Sequence, residues 1–341
     1  MTAGSVYFTA SREVTVQEEP LPPLPPDQVL VDTVLSAISP GTEMLVYRGE
    51  FPQEVPVDET ISALAGEFSY PMKYGYSTVG RVQAVGSAAD PAWQGRRVFA
   101  FQPHCSHFIA PPGGLIPIPQ GLAFEDAVFL PNMETAVNFL LDGAPLIGER
   151  VAVLGQGIVG LLTTALLAEF PLASLVTLDR WPLRRQTSLA LGATASLDPA
   201  WSEATAQARD ALGSVHPEDG ADLVYELAGS PAALDLALEL AGFTSRIVIG
   251  SWYGSKRASL DLGGRFHRSR IRMIGSQVSS LAPEHRGRWD KARRFQVAWQ
   301  KIREIQPSRF ITHRYPLDKA GEAYRLLDEN PAEAIQVVFT Y

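Results

Sequence analysis

One stretch constrains this chain more than any other. Val151-Ala152-Val153-Leu154 is an apolar run of strand length; it breaks into Gly155-Gln156-Gly157-Ile158-Val159-Gly160 and continues as an apolar, helix-like segment. Nineteen residues after Gly160, at the end of the next apolar run (Val176-Thr177-Leu178), stands Asp179. Three glycines spaced G-x-G-x-x-G are weak evidence alone. A strand before them, a helix after them and an acid about 20 residues on make the pattern specific. Gly155 allows the tight turn, Gly157 lets the backbone approach a pyrophosphate, and Gly160 lets the helix pack on the sheet. The helix-start N–H groups around Gln156, Ile158 and Val159 then face the anion. Asp179 is suited to accept from ribose hydroxyls and to repel a 2′-phosphate, which favours NAD; Arg180 and Arg184 soften that preference and keep NADP as the alternative. A glycine-rich turn with no ligand is the bland reading.

The same alternation continues downstream. Ile158–Phe170 reads as a helix, Leu175–Leu178 as a strand, Leu183–Leu191 as a helix, Asp222–Glu226 as a strand and Pro231–Leu240 as a helix, with strands at Arg246–Ile249 and Ile271–Ile274. This predicts an α/β fold with a doubly wound parallel sheet. Asn132, before the apolar stretch Ala136–Leu141, reads as the cap of a preceding helix. The first part of the chain is different. Short β-like runs (Val14–Val16, Val29–Leu35, Thr78–Val85, Arg97–Phe101, His107–Ala110) lie between prolines and glycines and predict an irregular β-barrel-like domain. After Pro283 the chain reads as a helix (Trp289–Ile305) and then strand–helix–strand. That tail is too short for a domain and is expected to complete the first. The predicted boundaries are 1–131 with 278–341, and 132–277. Pro52–Tyr74 reads as an added loop or helix with no legible role.

A length of 341 residues suits two domains. The balance of 29 basic against 37 acidic residues argues against a general nucleic-acid binder. Between Lys256 and Arg294, however, eleven Lys or Arg meet only three acids, which reads as a solvated helical face or as a rim for an anion. A single cysteine, Cys105, excludes an intramolecular disulfide. The N-terminal residues lack a leader's basic start and apolar core, and the longest apolar run, Val151–Phe170, is broken by glycines and Glu169. The expectation is a cytoplasmic protein with no membrane or nucleic-acid partner.

The β-rich start, the nucleotide-binding insert and the short return together resemble the medium-chain dehydrogenase/reductase superfamily of alcohol dehydrogenase-like proteins, over nearly the whole chain. The resemblance implies a Rossmann domain and a GroES-like substrate domain. Gly155–Asp179 and Leu189–Ala193 are typical of it. Ile38-Ser39-Pro40-Gly41-Thr42-Glu43, followed by Tyr47-Arg48-Gly49, resembles the Ser-x-Gly-Thr-Glu subgroup that includes bacteriochlorophyllide dehydrogenases. In zinc-dependent members a cysteine opens this motif, a Gly-His-Glu triplet falls at Gly75-Tyr76-Ser77, and a third ligand falls near Pro131–Asn132. This chain retains none of the three, and the four-cysteine lobe is also missing. Catalytic zinc needs about three protein ligands, so the resemblance implies a member that binds no metal. His104-Cys105-Ser106-His107, joined by Glu43, is the alternative cluster; on a strand, His104 and Ser106 would share one face and Cys105 and His107 the other.

Without a metal, a side chain must take the proton of the reacting oxygen. Tyr76, at a ligand position, is the first candidate, with plain packing as its alternative. His104 or His107 could serve because histidine titrates near neutrality, and His104 is the one expected to face the site. Thr42 and Glu43 could orient a hydroxyl. Ligands of such sheets sit beyond strand C-termini, so Gly229 is expected near the adenine and Ser251 near the nicotinamide ribose, with Thr135 also touching the cofactor. The reading is NAD-dependent interconversion of a secondary alcohol and a ketone on a hydroxylated small molecule, an anionic one if the basic rim takes part. A homodimer through the edge strand Ile271–Ile274 is expected. The alternatives are a zinc-free quinone/enone reductase and a nucleotide-binding protein without turnover.

Overall fold

The computed structural model describes residues 1–341 except 53–55, 59, 215 and 217. The chain forms two compact units, Met1–Pro131 with Ile302–Tyr341, and Asn132–Lys301. In chain order the first unit opens with β1 (Thr2–Ala10), β2 (Glu13–Pro20), β3 (Val29–Ala37), α1 (Pro40–Arg48), β4 (Thr78–Val85), β5 (Arg97–Ala100), β6 (His107–Ala110), β7 (Ile116–Pro117) and α2 (Phe124–Ala127). There follow α3 (Leu130–Gly143), β8 (Arg150–Leu154), α4 (Ile158–Leu167), β9 (Ser174–Leu178), α5 (Pro182–Ala190), β10 (Ala195–Leu197), α6 (Ala204–Ala211), β11 (Ala221–Glu226), α7 (Pro231–Leu240), β12 (Ala241–Ile249), β13 (Arg272–Gly275) and α8 (Lys291–Ile305). The return adds β14 (Ile311–Pro316), α9 (Ala320–Glu329) and β15 (Gln336–Thr340).

In the first unit β1 and β2 form an antiparallel pair, and a larger sheet runs β14-β15-β3-β4-β5-β7 with β6 also on β3. β3 is thus shared by β15, β4 and β6. Its inward residues Val29 and Val31 meet Val82 and Val98 in one apolar cluster, as the period-two alternation of a strand requires. A second cluster gathers Phe8, Met44, Tyr47, Phe68, Tyr74, Tyr324 and Phe339. From the 52–74 segment Val57, Ile61 and Tyr70 pack against it, while residues 53–55 and 59 lie outside the described residues.

The second unit has the expected doubly wound sheet, six parallel strands in the order β10-β9-β8-β11-β12-β13. The order turns between β8 and β11, where such sheets leave a crevice beyond their C-terminal ends. β13 is an edge strand, as expected of the Ile271–Ile274 run.

Two expectations need correction. Asn132 is no cap: α3 already starts at Leu130, and Asn132 is buried within it. The chain also packs with the second unit up to Lys301, beyond the expected return at 278. The reason is Arg294 on α8. It is 1% exposed, donates through Nε and Nη2 to Glu134 Oε1, and through Nη1 to Asn138. A buried guanidinium is tolerable only with its partners in place, which ties α8 to α3. Among the described residues no helix is long and apolar enough to cross a membrane.

Candidate active site

In the first unit the site is built where β3 runs into α1. Pro40 at the first helical turn has its φ pre-set for the helix. Gly49, left-handed at φ 72°, ends it by returning its N–H to the last carbonyls. Ser39 is the N-cap, yet its hydroxyl makes no cap bond. Glu43 instead reaches back one turn, and its Oε1 accepts from Ser39 N–H at 2.7 Å. The bond resembles the return arm of a capping box, made from one position later than the usual third residue. The Ser39 hydroxyl turns to Tyr76, sharing a hydrogen bond of 2.5 Å with its OH, and Thr42 Oγ1 lies 3.1 Å from the same atom. Tyr76 and Thr42 are half-buried. Burial raises the Tyr76 pKa above the usual 10.0, opposed by the bonds to Ser39 and Thr42, so the phenol keeps its proton at neutral pH.

Beneath this trio lies a closed polar cluster. Glu43 and His104 are both 0% exposed. Glu43 Oε2 stands 2.9 Å from His104 Nε2 and accepts from Tyr324 OH at 2.5 Å. His104 Nδ1 is 2.7 Å from Ser36 Oγ, which shares a further bond of 2.7 Å with Tyr341 OH. Phe339 closes the ring edge-on at 5.0 Å.

His104, expected as a general acid/base, is therefore enclosed with both nitrogens engaged, and cannot touch a substrate. The same holds for Glu43. His107 lies apart on β6, 3.3 Å from Asp32. Cys105 is buried, bridged to Ser5 of β1, and among the described residues no three His, Cys, Asp or Glu are grouped as a metal's ligands would be. Two hydroxyls in contact, beside an imidazole with both nitrogens engaged, do not fit catalytic zinc, which takes sulfur, nitrogen and carboxylate ligands.

In the second unit the glycines meet their predicted demands. Gly155 has φ +93°, and a Cβ there would lie 2.7 Å from Ala228 N; one on Gly160 would lie 2.0 Å from Gly155 O. At Gly157, the N-cap of α4, nothing stands within 4 Å of a Cβ position. The first-turn N–H groups of Ile158, Val159 and Gly160 have no carbonyl partner within the helix. Gln156, expected among the residues facing the anion, is turned away from it: its side chain accepts from Thr164 Oγ1 at 2.9 Å and its backbone N–H donates to Asp179. Asp179 is 7% exposed and accepts from Gln156 N–H (2.7 Å) and Trp181 N–H (2.8 Å). Arg180 is exposed, while burial lowers the Arg184 pKa against the pull of Asp179. Thr135 is half-buried on α3.

Glu226, which sequence reasoning missed, organises the opposite lip. This buried carboxylate ends β11. Its Oε1 accepts from Ala228 and Gly229 N–H, and its Oε2 from Tyr253 OH. Ser251 Oγ donates to Glu226 O at 3.3 Å. Gly229 and Ser251 are thus brought together through it. The expected basic rim is depleted: Arg294 is the buried partner of Glu134, and Arg265 donates to Ala241 O and Asp219 O. Arg268, Arg270 and Arg272 remain exposed.

No protein-family model matches the chain. It is 26% identical to the zinc-type alcohol dehydrogenase-like protein YphC of Escherichia coli (strain K12), over 69% of this chain and 63% of that protein. To the L-threonine 3-dehydrogenase of Stenotrophomonas maltophilia (strain K279a) it is 22% identical over 95% of both. Among solved structures, a zinc-binding dehydrogenase of Sinorhizobium meliloti 1021 bound to NADP superposes with a TM-score of 0.77, 21% identity and full coverage of both chains. The alcohol dehydrogenase RspB of E. coli CFT073, complexed with NADH, gives 0.77 and 18%, covering 100% of this chain and 99% of that one. The likeness shows the fold: a Rossmann domain with a GroES-like domain, as in alcohol dehydrogenase-like proteins.

Proposed function

We propose that this protein is a nicotinamide-dependent dehydrogenase that interconverts a secondary alcohol and a ketone on a hydroxylated small molecule, without catalytic zinc. The observation that carries the reading is the Ser39–Tyr76 hydrogen bond. Two positions that hold metal ligands in zinc-dependent relatives are in contact here as hydroxyls.

Residues 155–160 and Asp179 would hold the dinucleotide, with NAD preferred because a 2′-phosphate would meet the Asp179 carboxylate. The bound nicotinamide supplies or accepts the hydride. Tyr76, protonated at neutral pH, gives its proton to the oxygen of the ketone as that oxygen becomes an alkoxide. Ser39 and Thr42 hold the phenol in place, and half-buried Thr42 offers a route for re-protonation from water. The raised Tyr76 pKa sets the sign of the pH dependence. Ketone reduction needs the phenol and is lost at strongly alkaline pH, whereas alcohol oxidation needs the phenolate and rises with pH. Pairing through β13 would give a homodimer.

The test is parallel calorimetric titration of metal-analysed protein with NADH and NADPH, then turnover of 2,3-butanediol, sorbitol and L-threonine and the matching ketones. Loss of a general acid typically costs about 10²- to 10⁴-fold. Tyr76→Phe is expected to lose that much turnover while NADH affinity stays unchanged. Equal turnover by wild type and Tyr76→Phe refutes the mechanism, and one zinc per chain refutes the metal-free reading. Tight NADH binding by a wild type that turns over nothing would favour the nucleotide-binding protein instead.

A further inference from the structure

We propose that the buried Glu43–His104 pair is a positioning element that holds Ser39 and Tyr76 at hydrogen-bonding distance, doing in this chain the geometric work of a metal ion. The functional meaning rests on the Tyr76 reading above; the geometry does not.

Stability alone gives little reason for the pair. A carboxylate and an imidazole at 0% exposure carry a desolvation cost that well-packed apolar residues would avoid. What the pair does have is one arm on each hydroxyl-bearing residue. The first arm is Glu43 Oε1, which holds Ser39 N–H at 2.7 Å. The Thr42 N–H, which the Ser39 hydroxyl would ordinarily cap, bonds to the Ser39 carbonyl at 3.1 Å instead, and the Ser39 hydroxyl reaches Tyr76.

The second arm is the His104 ring, which lies close against Gly75, the residue just before Tyr76. A Cβ on Gly75 would stand 2.7 Å from His104 Nε2 and 2.8 Å from its Cδ2, and Gly75 has φ +115°. Only glycine lets the chain rest on the imidazole there. The two arms meet in the 2.9 Å contact between Glu43 Oε2 and His104 Nε2. Tyr324 of α9, Ser36 of β3 and Phe339 of β15 fix the pair from the remaining sides.

The cluster does not relay protons to Tyr76. From Tyr341 a chain of exchangeable groups runs through Ser36 and His104 to Glu43, but the link from Glu43 to Ser39 is a backbone N–H. Glu43 and His104 are therefore positioning residues.

The experiment follows the ¹³Cζ resonance of Tyr76 in the full-length protein labelled at tyrosine, assigned by its loss in Tyr76→Phe. Ser39→Ala moves this resonance by removing the 2.5 Å bond. Glu43→Leu is expected to move it the same way, and to add less than its full shift in the Ser39→Ala background, because one of the pair's two arms acts through Ser39. Glu43→Gln keeps an acceptor for Ser39 N–H and leaves the resonance in place. Should Glu43→Leu fail to fold, Ser36→Ala tests the pair more gently by removing only the Nδ1 partner of His104, and is expected to displace the resonance in the same direction.

An unmoved resonance in Glu43→Leu, or in Ser36→Ala where Glu43→Leu does not fold, overturns the proposal, and so does a Glu43→Leu shift that adds in full to that of Ser39→Ala. On any ketone the wild type reduces, Glu43→Leu should lose about 10²-fold in kcat with KM and NADH affinity unchanged, the usual consequence of a misplacement near 1 Å. If Tyr76→Phe remains fully active, the catalytic reading has failed while the resonance still reports on the geometry.

Discussion

Gly75→Ala is the sharpest test of how the first unit is assembled, because the structure separates its cost into two parts. The backbone part comes from φ +115°, a conformation outside the ordinary L-residue regions that costs about 1–3 kcal/mol. The contact part comes from a methyl 2.7 Å from His104 Nε2. The ring cannot move aside, since its nitrogens are engaged by Glu43 and Ser36, and overpacking of such a site costs about 1–3 kcal/mol. Together they give about 4 kcal/mol, or roughly a thousandfold in an opening equilibrium at 1.4 kcal/mol per tenfold. Truncating the ring removes only the contact part. In a His104→Ala background the same glycine substitution should therefore cost about 2 kcal/mol, roughly 30-fold. Native-state hydrogen exchange of the Ala37 and Ile38 amides provides the assay. These bond to Ser77 O and Val337 O beside the pair, and report the opening of this unit. Costs that add across the two backgrounds to within about 0.5 kcal/mol would show that Gly75 and His104 do not meet, and the two-armed arrangement would fall with them.

Two further predictions concern the nucleotide-binding unit. Gly160→Ala, whose Cβ would fall 2.0 Å from Gly155 O, should lower the melting temperature sharply. Gly157→Ala, in open space, should leave melting nearly unchanged but weaken NADH binding at least about tenfold by blocking the approach to a pyrophosphate; normal NADH affinity in Gly157→Ala would count against the site. Burial raises the Glu226 carboxyl above its usual 4.5 despite its bonds to Ala228, Tyr253 and Gly229. The folded state thus holds this proton more tightly than the unfolded one, so the contribution is fully present below 4.5 and is lost as pH rises through the folded value. In Glu226→Gln that loss should vanish, and the variant's urea midpoint should gain on the wild type between pH 4.5 and 8; a constant difference across that range would refute the assignment.

The sequence disclosed most where a local pattern has one physical solution. Glycines at 155, 157 and 160, an acid at 179 and a strand–helix period could hardly form anything but the first turn of a parallel sheet, and the bounds of α7 matched those read from the sequence. It disclosed less where the deciding partner is far along the chain. β1 was not read as a strand because Thr2–Ala10 shows its pattern only when Val6 and Phe8 meet Tyr324 and Phe339 from the far terminus. α1 was not read from the sequence, where Ser39–Glu43 was taken only as a motif; Pro40 and Gly41 open a helix whose N-cap N–H is met by Glu43 from within. Tyr76 could be proposed from its position in the motif, but its link to Ser39 required the fold. His104 was read as reactive because histidine titrates near neutrality; its environment is set by Ser36, Glu43, Tyr324 and Phe339, which lie 61 to 235 positions away along the sequence.

A site that works without a metal ion would need much behind it. A zinc ion acts on two counts: it polarises an oxygen, and it fixes the geometry of the groups around it through its own coordination. A phenol can take over the first task alone. It cannot take over the second, because a tyrosine held only by the hydroxyls of Ser39 and Thr42 has rotational freedom that a coordinated imidazole lacks. The geometric task must then fall to groups that are themselves immobile, and immobility inside a protein comes from having every polar atom engaged and every face packed. Glu43 and His104 meet that condition, with ring and carboxylate anchored to α9, β3 and β15, and they can do so only by withdrawing from the surface where chemistry takes place. The same burial that disqualifies His104 as an acid or base qualifies it to hold Tyr76 still.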